Sequence, residues 1–165
     1  MLKDFSGQNL ANCDLTGMDL SGANFRNANL YYADLSGANL ADADFSYSDI
    51  RYANLSRSEL YRACFNYSKM CRSRVQNATL FYATFNGADL SGIDLRDASL
   101  QATAFFRSNL SYANLRRANL KYANFRGANL FRASLVGSDL EGVDLRGACL
   151  IQTNFKRTIL EFSKD

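Results

Sequence analysis

The residue types that usually carry catalysis are either missing from this sequence or spread through it at fixed intervals. There is no histidine, so acid–base chemistry would fall to carboxylates, cysteine or lysine. Eleven of the 16 acidic residues occupy one position of a five-residue repeat, so pairs of carboxylates arise from periodicity and indicate no catalytic site. The four cysteines show no CxxC spacing that would hold a metal. We therefore expect no catalytic residue, no metal site, no cofactor and no small-molecule substrate.

The five-residue repeat runs through the chain without interruption. Every fifth residue from Phe5 to Leu160 is Leu, Phe, Ile, Met or Val, which gives 32 consecutive positions that we call centres. Two residues before each centre the sequence is mostly Ala or another small residue, and Asp or Asn dominates the position directly before the centre. All ten glycines stand two residues after a centre, which indicates a turn with a positive φ, as in a type II turn. Each repeat therefore predicts one short extended side and one corner of a coil.

The phenylalanines indicate how many repeats make one coil. Seven of them recur every 20 residues, from Phe5 to Phe125. A second column with the same 20-residue spacing, from Leu20 to Leu160, is entirely leucine. This superperiod means four repeats per coil, so that like residues stack on like, and 32 repeats predict about eight coils. At about 4.8 Å per coil the rod would be roughly 38 Å long. The predicted core ladder consists of Phe5, Phe25, Phe45, Phe65, Phe85, Phe105 and Phe125.

This pattern resembles the pentapeptide-repeat family, and the resemblance covers residues 3–162. Blocks such as Ala-Asn-Leu at 113–115 and 128–130 carry it. The resemblance implies an all-β fold, a right-handed quadrilateral parallel β-helix or solenoid without inserted loops, in which the centre and the small residue both point inward. Residues 1–165 are expected to form a single solenoid domain.

One segment, residues 64–79, departs from the consensus. Met70 and Val75 replace the usual Leu, while Lys69 and Arg74 take the Asp/Asn position. The segment is either a local binding feature in the fourth coil or drift in a tolerant repeat. Because the five-residue register continues through it, we expect no loop there.

Tyrosine and basic residues concentrate at the two positions that follow each centre. All nine tyrosines and 15 of the 19 basic residues lie there. Residues 51–135 hold 13 basic and 4 acidic residues, whereas residues 1–50 hold 2 basic and 7 acidic residues. The superperiod predicts that most of the candidate residues share one face, and that Arg116 and Arg117 lie on the adjacent face. The candidate interaction surface comprises Tyr32, Arg51, Tyr52, Arg72, Tyr112, Arg116, Arg117 and Arg132.

The sequence leaves three interpretations of this surface open. Tyr and Arg are common anchors of protein interfaces, which favours a protein partner whose identity the sequence does not give. Basic residues beside aromatic ones also bind nucleic acid or another anionic surface through charge and stacking. Alternatively, the Arg and Tyr stems simply cover the wall of the solenoid. We expect a non-catalytic binding or scaffold protein, with protein–protein interaction as its main function.

A branch of the family suggests DNA gyrase as an alternative partner. Those topoisomerase-protecting proteins of the quinolone-resistance type resemble B-form DNA in size, shape and negative charge. The length of the rod and the acidic position of the repeat agree with that branch. The formal net charge of +3 and the Arg residues that interrupt any acidic face disagree with it.

The last coil is unusually apolar for the end of a solenoid, where unpaired strand edges are exposed. Two isoleucines occupy positions that are polar in other repeats, and a Leu and a Phe follow. The sequence therefore predicts a homodimer through the C-terminal coil, or alternatively a short frayed cap. The residues concerned are Ile151, Ile159, Leu160 and Phe162.

Hydrophobicity along the chain predicts neither export nor insertion into a membrane. No apolar run approaches the roughly 18 residues that a transmembrane helix needs. Residues 1–10 lack the charged and then apolar profile of a signal peptide. We therefore expect a cytoplasmic protein without a membrane span.

Overall fold

The computed structural model describes residues 3–159, which form a stack of four-sided coils. Each residue directly before a centre makes an isolated parallel bridge with the residue 20 positions further along, as Asp4 does with Asn24. The bridges form four columns of eight residues each, which run from Asp4 to Asp144, from Asn9 to Cys149, from Asp14 to Asn154 and from Asp19 to Ile159. We call these the first, second, third and fourth columns. The predicted quadrilateral parallel β-helix with a 20-residue coil is confirmed.

The strands of this β-helix are one bridge residue long, and corner turns separate them throughout residues 3–159. Neither a helix nor an inserted loop interrupts that pattern in the same residues. Within the described part, no helix is therefore long and apolar enough to cross a membrane.

Hydrogen bonds between coils use both sides of each short strand. The N–H of Asp44 donates to the carbonyl oxygen of Ala23 in the preceding coil, at 2.9 Å. The N–H of Phe45 donates to the carbonyl oxygen of Cys64 in the following coil, at 2.7 Å. Adjacent amides therefore point in opposite directions along the rod, which binds each coil to both of its neighbours.

The corner turn explains why Asp or Asn precedes the centre. In the repeat of Asp44, the N–H of Ser48 closes the turn on the carbonyl oxygen of Phe45, at 3.2 Å. The N–H of Ser46 would then lack a backbone acceptor, and it donates to Oδ1 of Asp44 at 2.8 Å. The oxygen of a short side chain two residues upstream thus accepts the one N–H of the corner that has no backbone acceptor.

Two asparagines replace that arrangement where the column residue is neither Asp nor Asn. Thr84 and Ala104 stand in the Asp/Asn position of successive coils. The N–H of Asn86 donates instead to Oδ1 of Asn66 in the coil below, at 2.8 Å, and the N–H of Phe106 donates to Oδ1 of Asn86, at 3.1 Å. The amide is satisfied from the neighbouring coil, which the sequence did not predict.

Every corner in residues 3–159 has a positive φ at its second residue, and most of these residues are not glycine. The non-glycine values lie between 54° and 62°, and seven of these residues are tyrosines. Such backbone is uncommon for L-residues, and here the hydrogen bonds to both neighbouring coils impose it. The side chain at this position leans towards the next coil. The ring of Tyr67 lies over Gly87, where an added Cβ would meet it at 2.7 Å.

The predicted phenylalanine ladder fills one side of the core. The seven rings stack in order along the rod, with centroids 4.6–5.1 Å apart and interplanar angles of 3–9°. Phe25 to Phe125 are fully buried, whereas Phe5 in the first coil is half-buried. Serines at the small inward position are also satisfied, as Oγ of Ser48 donates to the carbonyl oxygen of Phe45 at 2.6 Å.

Residues 64–79 keep the register of the surrounding coils, so the expected absence of a loop is confirmed. Met70 and Val75 are fully buried in the Leu positions. Lys69 lies between Asp49 and Asp89 in the second column. Its charge therefore alternates with theirs along the ladder, and the lysine lowers the pKa of Asp49, although Arg51 contributes more.

Truncating a ring in the middle of the ladder should destabilise the solenoid strongly. Phe65→Ala removes a fully buried ring from between two others and should cost about 3–5 kcal/mol in the free energy of unfolding. Urea denaturation followed by circular dichroism measures this. Phe5→Ala, in the half-buried first ring, should cost clearly less. Equal losses in the two variants would show that the rings are not stacked into one column.

The contact between Tyr67 and Gly87 predicts different costs for two otherwise similar glycine substitutions. Gly87→Ala and Gly37→Ala both place a Cβ at a φ near +65°, which costs about 1–2 kcal/mol. Nothing lies within 4 Å of the new Cβ at Gly37. Gly87→Ala must also displace the Tyr67 ring, which stacks on Tyr47 at 5.3 Å, at a further cost of about 1 kcal/mol. In a Tyr67→Ala background, urea denaturation should show no difference between the two substitutions.

Candidate binding surface

The outward side chains of the solenoid form four faces, each with a bridge column at its centre and a row of corners along either edge. The third column, from Asp14 to Asn154, is the centre of the face that carries the candidate residues. We call this column and its two bordering corner rows the basic face. All eight candidate residues lie on its corners: Arg116 and Arg117 on one row, and the other six on the opposite row. The two groups thus border one common face.

The corner row opposite Arg116 begins with an aromatic cluster. Tyr32 and Tyr52 stack with centroids 5.0 Å apart, and Tyr31 meets Tyr32 edge-on at 4.6 Å. The guanidinium of Arg51 lies 5.3 Å from the centroid of the Tyr31 ring, and Nη1 of Arg72 donates to the Tyr52 hydroxyl at 3.5 Å. Tyr31 was missing from the candidate set, although its position next to Tyr32 was a signal for including it.

A second cluster lies nearer the C-terminal end of the same corner row. The rings of Tyr112 and Phe131 meet edge-on with centroids 5.5 Å apart. The guanidinium of Arg132 lies 5.1 Å from the Phe131 centroid and 5.8 Å from that of Tyr112. Its Nε donates to Oε1 of Gln152, one coil further on. Arg132 is held by neutral groups, so its charge has no carboxylate partner within 4.0 Å in residues 3–159.

The two adjacent arginines of the other corner row differ in their partners. Nε and Nη2 of Arg117 donate to the two carboxylate oxygens of Asp97, 20 residues earlier, both at 2.7 Å. These hydrogen bonds lower the pKa of Asp97 and raise that of Arg117. Within the described residues Arg116 has no such carboxylate, and its backbone N–H donates to Oδ1 of Asn114 at 3.4 Å.

The cations of the basic face differ in their partners from those of the rest of the molecule. Of the 18 Lys and Arg residues in 3–159, nine lie within 4.0 Å of a carboxylate and nine do not. Seven of the nine unpaired cations lie on the basic face, and beyond Asp97 that face has no acidic residue up to residue 159. The seven are Arg57, Arg72, Arg74, Arg116, Arg132, Lys156 and Arg157.

Of the predicted C-terminal contact residues, the structure describes two, Ile151 and Ile159, which lie on different sides of the last coil. Ile151 and Ile159 are both exposed in the last coil. Ile151 is a corner residue between the second and third columns, whereas Ile159 ends the fourth column. Leu160 and Phe162 lie outside the described residues. The homodimer through the C-terminal coil stays a prediction.

The described residues offer little to chemistry of other kinds. No group of three or more Cys, Asp or Glu side chains within residues 3–159 could hold a metal ion. The four cysteines are unpaired and partly buried. Burial raises the pKa of the Cys71 thiol, which makes it a weaker nucleophile at neutral pH.

Comparison with known proteins gives the class of protein. The sequence profile described as "Pentapeptide repeats" matches the chain in eight copies, in overlapping segments that run from residue 4 to residue 161. The chain therefore belongs to the pentapeptide-repeat family. A search of curated proteins gave no match.

Solved structures with this fold include QnrB1, described as a plasmid-mediated fluoroquinolone resistance protein. A trypsin-treated variant of QnrB1 is 19% identical, with a TM-score of 0.61 over 98% of this chain and 91% of that chain. Full-length QnrB1 is 18% identical, with a TM-score of 0.61 over 93% and 92% of the two chains. HetL from Nostoc sp. strain PCC 7120, a pentapeptide repeat protein involved in heterocyst differentiation regulation, is 26% identical over 96% and 90% of the two chains, with a TM-score of 0.31. The likeness to QnrB1 is one of fold, the right-handed quadrilateral β-helix.

Removing Arg117 should raise the pKa of Asp97. In Arg117→Gln the carboxylate loses two charge-assisted hydrogen bonds, so its pKa should return towards the ordinary value, as measured by NMR titration of the carboxyl carbon. Because the folded pKa of Asp97 is lowered, the pair stabilises the wild type at neutral pH and loses this effect as the pH falls through that pKa.

Asp14 is the internal control for that titration. Hydrogen bonds from Thr16, and no arginine, lower its pKa, so the value should not change in Arg117→Gln. An unchanged pKa for Asp97 would contradict the pairing across 20 residues.

Proposed function

We propose that this protein is a non-catalytic binding protein that holds an anionic macromolecule along its basic face. One observation carries the proposal: seven of the nine cations that lack a carboxylate neighbour within residues 3–159 lie on that single face. Elsewhere on the solenoid most cations are neutralised by an acidic residue of the same or the adjacent coil. A concentration of unpaired charge on one side of a rigid rod favours an extended partner of opposite charge.

The proposal of a non-catalytic role is supported by how the polar groups are used. Many Asp and Asn side chains accept the corner amide of their own repeat, as Asp44 does. Phe and Leu fill the interior. One surface depression, bordered by Thr16, Ser36, Ser56 and Arg57, has hydroxyl, amide and guanidinium groups and no carboxylate or thiol in its lining. Such a lining binds polar groups but supplies no acid–base pair.

The clusters of Tyr and Arg would also suit an acidic protein as the anionic macromolecule, which is the class of partner that the sequence favoured. Tyr112 is 56% exposed beside Arg132, and Tyr32 is 52% exposed in the other cluster. Exposed Tyr and Arg held by their neighbours lose little side-chain entropy on binding, which suits interface anchors. An acidic surface on the partner protein would complement the cations between these two clusters.

DNA gyrase is the second candidate partner, because the chain shares its fold with QnrB1. The charge distribution does not favour DNA mimicry. Each column holds only two or three acidic residues among its eight members, and Lys69 and Arg74 interrupt two of the columns. A supercoiling assay with purified gyrase separates this candidate from the first. A DNA mimic would change the supercoiling activity of gyrase even after the unpaired arginines are replaced by Ala, whereas a protein that binds through the basic face would not.

Anionic polymers test the proposed binding face directly. Anisotropy of a labelled polyglutamate peptide and of a labelled oligonucleotide would be compared for the wild type and two triple variants. Arg116→Ala with Arg132→Ala and Arg157→Ala removes unpaired charges from the basic face. Affinity for at least one polymer should fall about tenfold or more.

A charge-matched triple variant is the control for this experiment. Arg26→Ala with Arg62→Ala and Arg146→Ala removes three paired arginines from corner rows outside the basic face. It should bind nearly as well as the wild type. Equal losses in the two triple variants, or no binding of either polymer by the wild type, would overturn the proposal.

A further inference from the structure

The C-terminal half of the basic face has a neutral floor between two basic edges. Beyond Asp94 the third column continues with Asn114, Ser134 and Asn154, so no carboxylate lies at its centre up to residue 159. Each of these side chains is shorter than the arginines of the corner rows. We call this strip of short neutral side chains between the two corner rows the trough, and the column at its centre the floor.

The floor of this trough has amide donors without a hydrogen-bond partner in residues 3–159. Oδ1 of Asn114 accepts the N–H of Arg116, and Oδ1 of Asn154 accepts the N–H of Lys156 at 3.1 Å. Six other asparagines of the ladder donate their Nδ2 to the column residue below, as Asn54 does to Asp34. Neither Asn114 nor Asn154 makes that bond in residues 3–159, so both amide donors are available to a ligand.

The edges of the trough carry four of the unpaired cations. Arg132 lies on one corner row, and Arg116, Lys156 and Arg157 lie on the other. Three of the four are arginines, whose planar fork matches the oxygens of a phosphate group. The cations of the trough, from Arg116 to Arg157, lie in three successive coils of about 4.8 Å each, or roughly 14 Å of the rod.

Aromatic rings stand at the edge that carries Arg132. Tyr112 is 56% exposed, and Phe131 packs edge-on against it. Unpaired nucleobases stack on such rings, whereas the bases of a duplex already stack on each other. A linear row of donors and cations with an aromatic edge therefore fits one sugar–phosphate strand better than it fits a duplex or a folded acidic protein.

We infer that the trough binds single-stranded nucleic acid, with the phosphates over Asn114, Ser134 and Asn154 and with bases against Tyr112. This inference rests on the proposed function and specifies its partner. Recognition is through the phosphate backbone and stacking, so it is tolerant of base sequence. The contact length is a few nucleotides.

An isosteric charge substitution tests the inference without removing a structural hydrogen bond. Asn114→Asp places a negative charge on the floor, and Asp fills the same position in other repeats, where it keeps the corner turn. Anisotropy with a labelled single-stranded 20-mer should show affinity about tenfold weaker than that of the wild type. The control Asn124→Asp makes the same change in the first column, on the opposite face, and should stay within about twofold.

Salt dependence and stacking give two further readouts with the same probe. In Arg116→Ala, the slope of log affinity against log salt should decrease in magnitude by about 0.7, because one phosphate contact is lost. In Tyr112→Leu, affinity should fall about five- to tenfold while the slope stays unchanged.

Other polymers separate failure of this inference from failure of the proposed function. A 20-residue polyglutamate peptide bound with the same sensitivity to Asn114→Asp, without binding of the single strand, would overturn the nucleic-acid assignment and leave the proposed function standing. Tighter binding of a 20-bp duplex than of the single strand would overturn the single-strand geometry. An equal effect of Asn114→Asp and Asn124→Asp would show that the trough is not the site, and absence of binding to every polymer would overturn both proposals.

Discussion

The hydrogen bonds between coils join each residue to the chain one coil, or 20 residues, away, and the other features of this protein depend on that offset. Two neighbouring amides of every repeat point in opposite directions along the rod, as those of Asp44 and Phe45 do. Because the offset never changes between residues 3 and 159, chemically similar side chains stack directly above one another. The core, the corners and the charged surface are therefore all columns of residues 20 apart.

The same bonds impose a backbone that most side chains would avoid. Tyr and Arg adopt a positive φ at the corners because their own N–H donates to the next coil, as that of Tyr47 does to Asn66, while the N–H groups on either side are bound within the same repeat. These side chains lean along the rod, so they meet the corner residue of the next coil. Stacks such as Tyr32 on Tyr52, and ion pairs such as Arg117 with Asp97, are consequences of this direction.

The sequence predicted the architecture because its period is read directly from residue types. Seven phenylalanines at 20-residue intervals are enough to define the coil, and the structure stacks them as expected. It predicted less of the surface, because a residue's column does not reveal which charges are neutralised. Arg116 and Arg117 are neighbours of identical type, yet only Arg117 faces an Asp in the preceding coil. Asn66 and Asn86 each accept a corner N–H from the following coil, in place of an Asp or Asn in that coil. This contact lies between coils, so the sequence of a single repeat does not reveal it.

The assignment of a basic face rests on the 20-residue offset between neighbouring coils, and a cross-link tests that offset most directly. Cys64 forms a bridge with Thr84, so their Cα atoms lie about 4.8 Å apart, within the range that a disulfide spans. With the other three cysteines replaced by Ser, Thr84→Cys should form an intramolecular disulfide with Cys64 on mild oxidation, seen as a loss of two free thiols. Thr79→Cys, one repeat away on another face, should not. Faster cross-linking of Thr79→Cys than of Thr84→Cys would contradict the column arrangement and the basic face derived from it.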